Sequence, residues 1–132
     1  MKKGLKILGT VLFVVVCLIG VGFLLMGQQQ NEALAKLENV PIDMARVADG
    51  VYTGDSDAGM VQAEVRVTVT DHRIADITLI RHQTGLGKPA EATLADMVAQ
   101  NNYEVDAVTG ATASSLTLRN AVNQALRQGL TP

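Results

Sequence analysis

A chain of 132 residues with a formal net charge of −2 has room for one small folded domain once its apolar N-terminal run is set aside. Its single cysteine, Cys17, lies inside that run, so the remainder has no disulfide, no Cys-x-x-Cys, no thiolate metal site and no Cys-x-x-Cys-His haem attachment. After Met26, 8 Lys/Arg stand against 13 Asp/Glu, a net of −5, and an acidic surface without a basic cluster argues against nucleic acid as a partner.

The stretch Ile7 to Met26 is uncharged and almost wholly apolar. At about 1.5 Å per residue its roughly 20 residues match the ~30 Å hydrocarbon core of a bilayer. Lys2, Lys3 and Lys6 precede it and no basic residue follows before Lys36. That asymmetry predicts a single-pass anchor over residues 1–27, with a cytoplasmic N-terminus and an extracytoplasmic remainder. A cleaved signal peptide is the rival reading. It calls for a shorter apolar core and a small-x-small cleavage site, whereas this run ends in Met26-Gly27-Gln28-Gln29-Gln30.

Residues 28–48 read as a stalk: Leu34 and Leu37 keep helical spacing in a polar stretch that Pro41 closes. Fully extended, such a stalk would reach roughly 75 Å. The folded domain is expected over residues 49–132. Asp49 to Gly54 suggests a short strand entered by a turn. Met60 to Thr70 alternates, with Val61, Ala63, Val65, Val67 and Val69 facing one way, the period of a half-buried strand. Asp71-His72 marks a hairpin, and Ile74 to Ile80 a further strand. After the Thr84-Gly85-Leu86-Gly87 loop, Pro89 opens a helix in which Ala90, Leu94, Met97 and Val98 share a face. The last helix is marked by the stripe Leu118, Ala121, Val122, Ala125 and Leu126. The order predicts an α+β domain of antiparallel strands with two packed helices.

Directly before that last helix stands Asp106-Ala107-Val108-Thr109-Gly110-Ala111-Thr112-Ala113-Ser114-Ser115. A helix N-terminus offers unpaired N–H groups and partial positive charge, hence a site for an anion. Gly110 and Ala111 leave the backbone open to a bulky group, and the hydroxyls of Thr109, Thr112, Ser114 and Ser115 cluster there. The plainer alternative is an ordinary helix start with Thr112 or Ser114 as N-cap. Capping needs one oxygen and does not account for the whole run.

The segment Asp106 to Thr112 resembles the Asp-x-x-Ser/Thr-Gly-Ala-Thr signature of the FMN-binding domain family. That family includes the flavin-bearing small subunits of sodium-pumping NADH:quinone reductase and of Rnf-type complexes. The opening Asp49-Gly50-Val51-Tyr52-Thr53-Gly54 is similar to the family's Asp-Gly-x-Tyr-x-Gly start, so the resemblance covers roughly Asp49 to Gly129. It implies covalent FMN on Thr112, attached by a Mg-dependent flavin transferase from FAD, with Asp106, Thr109, Gly110 and Ala111 as the recognition motif. Arg81-His82-Gln83-Thr84-Gly85-Leu86-Gly87 is similar to a His-x-x-Thr-Pro-Gly-Leu-Gly-like loop of the complex subunits, without the proline. Gly85 and Gly87 would let backbone lie against a flat ring, while His82 and Thr84 offer hydrogen bonds to its edge. Tyr52 and Tyr103 are the only aromatic residues outside the anchor; each is expected in the core rather than on the ring.

No catalytic residue and no metal ligand is expected. The implied function is a membrane-anchored, extracytoplasmic electron-transfer flavoprotein. It takes electrons from a membrane redox protein or quinol and passes them to an extracytoplasmic acceptor. The alternative is a flavin-bearing subunit of an ion-pumping oxidoreductase complex. A complete enzyme is disfavoured, because no nicotinamide-binding fingerprint and no acid–base pair near the motif is present. A non-redox scaffold that has kept the fold is the third possibility.

Overall fold

A computed structural model describes residues 1–131 of the chain. It falls into two compact units, Met1–Glu32 and the stretch from Ala33 onward. The first is the bulk of helix α1 (Lys2–Ala35), 34 residues long. Its most apolar 18-residue stretch has a mean hydropathy of 2.9, and by length and composition the helix suffices to cross a membrane. None of its residues is buried, and Leu12, Phe13, Phe23 and Leu24 all stand exposed. An apolar face all round is what a lipid-facing helix requires.

The second unit is a three-stranded antiparallel sheet in the order β1 (Gly50–Ala58), β2 (Val61–Thr70), β3 (Arg73–Gln83). A 3₁₀ turn (Lys88–Glu91) leads into α2 (Ala92–Gln100), and α3 (Thr112–Arg127) closes the domain. Helix α3 packs across β1 and β2, and α2 lies over β3. The opposite sheet face is largely solvated, as antiparallel sheets allow. On β2 the alternation holds: Val61, Ala63, Val65, Val67 and Val69 all point to the helices and are buried.

Strand β3 departs from period two. Its register against β2 shifts twice, between Thr68 and Val69 and between Glu64 and Val65, so that Ala75 and Ile80 have no partner across the ladder. Each bulge reverses the facing of the residues beyond it. The residues that turn inward are therefore Ile74, Ile77, Leu79 and His82, while Ile80 is left exposed at 42%. The β2–β3 turn explains Asp71-His72: both have positive φ (52° and 58°), the conformation of a two-residue type I′ hairpin.

The expected stalk is divided between two structures. Helix α1 runs on through Gln28 to Ala35, and the next residues are strapped to α3. Asn120 Nδ2 donates to Glu38 O and Asn39 Oδ1, both at 3.0 Å. Asn123 takes the Val40 N–H (3.0 Å) and donates to Val40 O (2.7 Å), and Arg127 donates to Glu38 O. Val47 is fully buried and pairs with Leu130, and Ala48 N donates to Gly129 O at 2.8 Å. Packing thus begins well ahead of Asp49, and only Lys36 and Leu37 lie between α1 and the strap.

The helix–sheet interface rests on small residues. The inward positions of β1 after Tyr52 are Gly54, Ser56 and Ala58, and all three are buried. A Cβ on Gly54 would lie 2.0 Å from Ala121 O and 2.5 Å from Ala125 N, both backbone atoms of α3. Neither can yield without moving the helix. Gly54→Ala should therefore lower stability by about 3 kcal/mol or more in denaturant titration, at the upper end for overpacking. A loss under about 1 kcal/mol would mean that α3 does not sit this close.

Candidate functional site

Helix α3 begins at Thr112 because Ala111, at the N-cap, has left the helical conformation (φ −132°, ψ 36°). Just before it, Gly110 takes φ +82°, which a side chain resists, and a Cβ there would meet nothing within 4 Å. The glycine is thus needed for its conformation, and the space beside it is open.

Four hydroxyls surround this helix start, yet no side chain caps it. Each is accounted for separately. Ser115, 3% exposed, takes the Val108 N–H (3.0 Å) and donates to Ala111 O (2.8 Å), folding the preceding loop onto the helix. Ser114, 1% exposed, pairs with Thr84 Oγ1 at 2.9 Å. Thr109 and Thr112 are exposed, and among the described residues neither hydroxyl meets a protein partner. The first-turn N–H groups therefore remain open beside a free threonine hydroxyl.

The motif has two faces. Val105 and Ala111 are buried and Val108 is half-buried against the core; Arg119 further holds the Val105 carbonyl. Asp106, Thr109, Gly110 and Thr112 face outward. Such alternation displays the polar residues of the run while the apolar ones anchor it.

The structure also brings the second expected loop to this place. Thr84 accepts the Gly87 N–H (3.1 Å) while bonding Ser114, so the turn from Thr84 to Gly87 is fastened to the first turn of α3. Gly87 is what permits the approach, since a Cβ there would fall 1.9 Å from Ser114 Oγ. Gly85 stays open on the outside, and Leu86 projects at 91% exposure. His82 does not face outward. Its ring is 1% exposed, with Nδ1 3.0 Å from Glu91 Oε1, and it braces the end of β3 against the 3₁₀ turn. Sequence reasoning passed over Glu91, which belongs to no motif and which only the fold brings to His82, and it gave Leu86, quoted within the loop, no role of its own.

Both tyrosines serve the scaffold. Tyr52 donates to Ala48 O at 2.7 Å and lies against Gly129, beyond the far end of the 16-residue α3, roughly 24 Å along the axis from Thr112. Tyr103 is a core residue whose hydroxyl bonds Glu104 Oε1 (3.1 Å) and Val40 O (3.3 Å). Burial, with the Glu104 carboxylate next, raises its pKa above the ordinary tyrosine value. A cavity of about 420 Å³ opens between Pro41–Met44 and Gln100–Glu104, and no motif residue lines it. Among the described residues no cluster of His, Cys, Asp and Glu is placed to hold a metal ion.

A family model described as an FMN-binding domain matches residues 58–127, from the end of β1 to the end of α3 and including both loops. The opening Asp49–Gly54 lies ahead of the matched span. No curated protein matches the chain. Since Thr112 neither caps the helix nor bonds elsewhere, Thr112→Ala should change stability by less than about 0.5 kcal/mol in denaturant titration. A loss near the ~1 kcal/mol typical of a removed cap would contradict this geometry.

Proposed function

The chain belongs to the FMN-binding domain family, and from that premise we propose that it is a membrane-anchored electron carrier whose FMN is joined through a phosphoester to Thr112. An FMN-binding domain preceded by an apolar helix of spanning length fits a membrane-anchored flavin-binding protein. The single observation that carries the finer reading is the uncapped first turn of α3 beside an exposed, unbonded threonine hydroxyl. Open N–H groups and the positive helix end favour a phosphate there by charge and by hydrogen bonding.

Attachment would form a bond between Thr112 Oγ1 and the phosphorus of the FMN half of FAD. The pyrophosphate bond breaks, AMP leaves, and the hydroxyl proton passes to the modifying enzyme. Asp106, Thr109, Gly110 and Ala111 provide the face that enzyme reads: the first three are exposed, and Ala111 fixes the turn from beneath. When bound, the isoalloxazine ring supplies the electron chemistry, and the protein supplies position and surroundings. Gly85 and Leu86 present an exposed apolar surface on the loop that Thr84 fastens to the first turn of α3. Thr84 and His82 hold that loop in place through Ser114 and Glu91 instead of offering their polar atoms outward.

A tether suits a domain outside the cytoplasm, where a dissociating flavin would be lost by dilution. The lysines ahead of α1 support that orientation. The carrier would take electrons from a membrane redox protein or quinol and deliver them to an extracytoplasmic acceptor.

The test is intact-mass spectrometry and in-gel flavin fluorescence on the full chain co-expressed with a flavin transferase. Wild type should gain one FMN phosphoryl group, and Thr112→Ala should gain none. A wild-type mass equal to the bare polypeptide would sink the covalent reading. Asp106→Ala should slow loading in vitro at least tenfold while leaving the melting temperature unchanged, because the side chain bonds nothing among the described residues. Loading at the wild-type rate would remove Asp106 from the recognition face.

A further inference from the structure

Among the described residues two buried side-chain atoms have no hydrogen-bond partner, Ser56 Oγ and His82 Nε2. The strand register places them in one row: Ser56 is opposite Ala63, and Ala63 is opposite His82. All three point to the helices, with Ser56 5% exposed, Ala63 0% and the His82 side chain 1%. Adjacent strands lie about 4.8 Å apart, so Ser56 and His82 stand roughly 10 Å apart with only a methyl group between them.

Both atoms are buried on this row and neither meets a protein partner. His82 Nδ1 is tied to Glu91, at the foot of α2, and α2 lies over β3. With Nδ1 taken up by Glu91, Nε2 is the ring nitrogen left without a partner. The chemistry of the two unpartnered atoms is complementary. An ionised carboxylate only accepts hydrogen bonds, so Nδ1 carries the proton and Nε2 of the neutral ring is left an acceptor, while a hydroxyl both gives and takes. Buried polar groups in native interiors are satisfied by protein or by ordered water, and no protein atom serves here.

We infer that Ser56, Ala63 and His82 line a buried hydration site, in which about one or two water molecules bridge Ser56 Oγ to His82 Nε2. The site completes a polar line from the partly exposed Glu91 carboxylate through the imidazole to the inner face of β1. It holds His82 in the tautomer that grips Glu91. It thereby steadies the end of β3, where the chain enters the Thr84–Gly87 turn beneath the start of α3. The site belongs to the unmodified polypeptide and stands or falls independently of flavin on Thr112.

The experiment uses the full chain in detergent, labelled with ¹⁵N-histidine and without flavin, with His72→Gln assigning the second ring. The His82 ring should be protonated at Nδ1 and should show cross-relaxation from its Hε1 to a long-lived water. In Ser56→Ala that signal should weaken and the melting temperature should fall by about 4–8 °C, the shift expected when one hydrogen bond of ordinary strength is lost from a domain of this size. A dry site predicts the reverse, since removing an unpaired buried hydroxyl relieves a penalty. Absence of the water signal in wild type, or a melting temperature that rises in Ser56→Ala, overturns the assignment.

Discussion

The domain depends on how closely α3 lies on the sheet. Its backbone at Ala121 and Ala125 approaches β1 so nearly that Gly54 has no room for a side chain, and the fully buried stripe Leu118, Ala121, Val122, Ala125 and Leu126 faces the valines of β2. Burial of the leucines and valines contributes about 1.5–3 kcal/mol each before entropy is set against it. The same contact fixes the position of the helix start. Because α3 cannot slide along a row of glycine, serine and alanine without collision, its first turn stays open at one end of the sheet. The chain can leave that turn uncapped because the stability of α3 comes from its packed face rather than from its terminus.

Around that fixed helix, polar contacts do the positioning. Ser115 folds the motif loop back, Ser114 takes hold of Thr84, and Asn120 and Asn123 bind the backbone of residues 38–40. Hydroxyls that look like ligands in the linear sequence are thereby engaged with their own protein, and the free ones, Thr109 and Thr112, are left outside. A run of four candidates is reduced to two by burial alone.

An element is legible in the sequence when the force that shapes it leaves a period. Burial on one side of β2 leaves an alternation, and burial of one stripe of α3 leaves a repeat of three and four, so both could be read. On β3 two bulges break the alternation, so nothing in the pattern indicated that Ile74 and His82 share a face with Ile77 and Leu79. The strap was illegible for another reason. Its partners are backbone carbonyls and two asparagines spaced i, i+3 on α3, and such polar contacts leave no apolar signal. Thr112 stood out by resemblance to a family signature, and hydroxyl chemistry alone would not have separated it from Ser114. The bond between Thr84 and Ser114 joins two motifs read as separate, at a separation of thirty residues that only the folded chain reveals.

The inward and outward faces of the motif loop bear on the order of events in biogenesis. Val105, Val108 and Ala111 are gripped by the core, so Asp106, Thr109 and Thr112 acquire their common outward display only after the sheet and α3 have come together. On the proposed reading a modifying enzyme recognises a shape, not a heptapeptide. Attachment then becomes a late checkpoint that an unfolded chain fails.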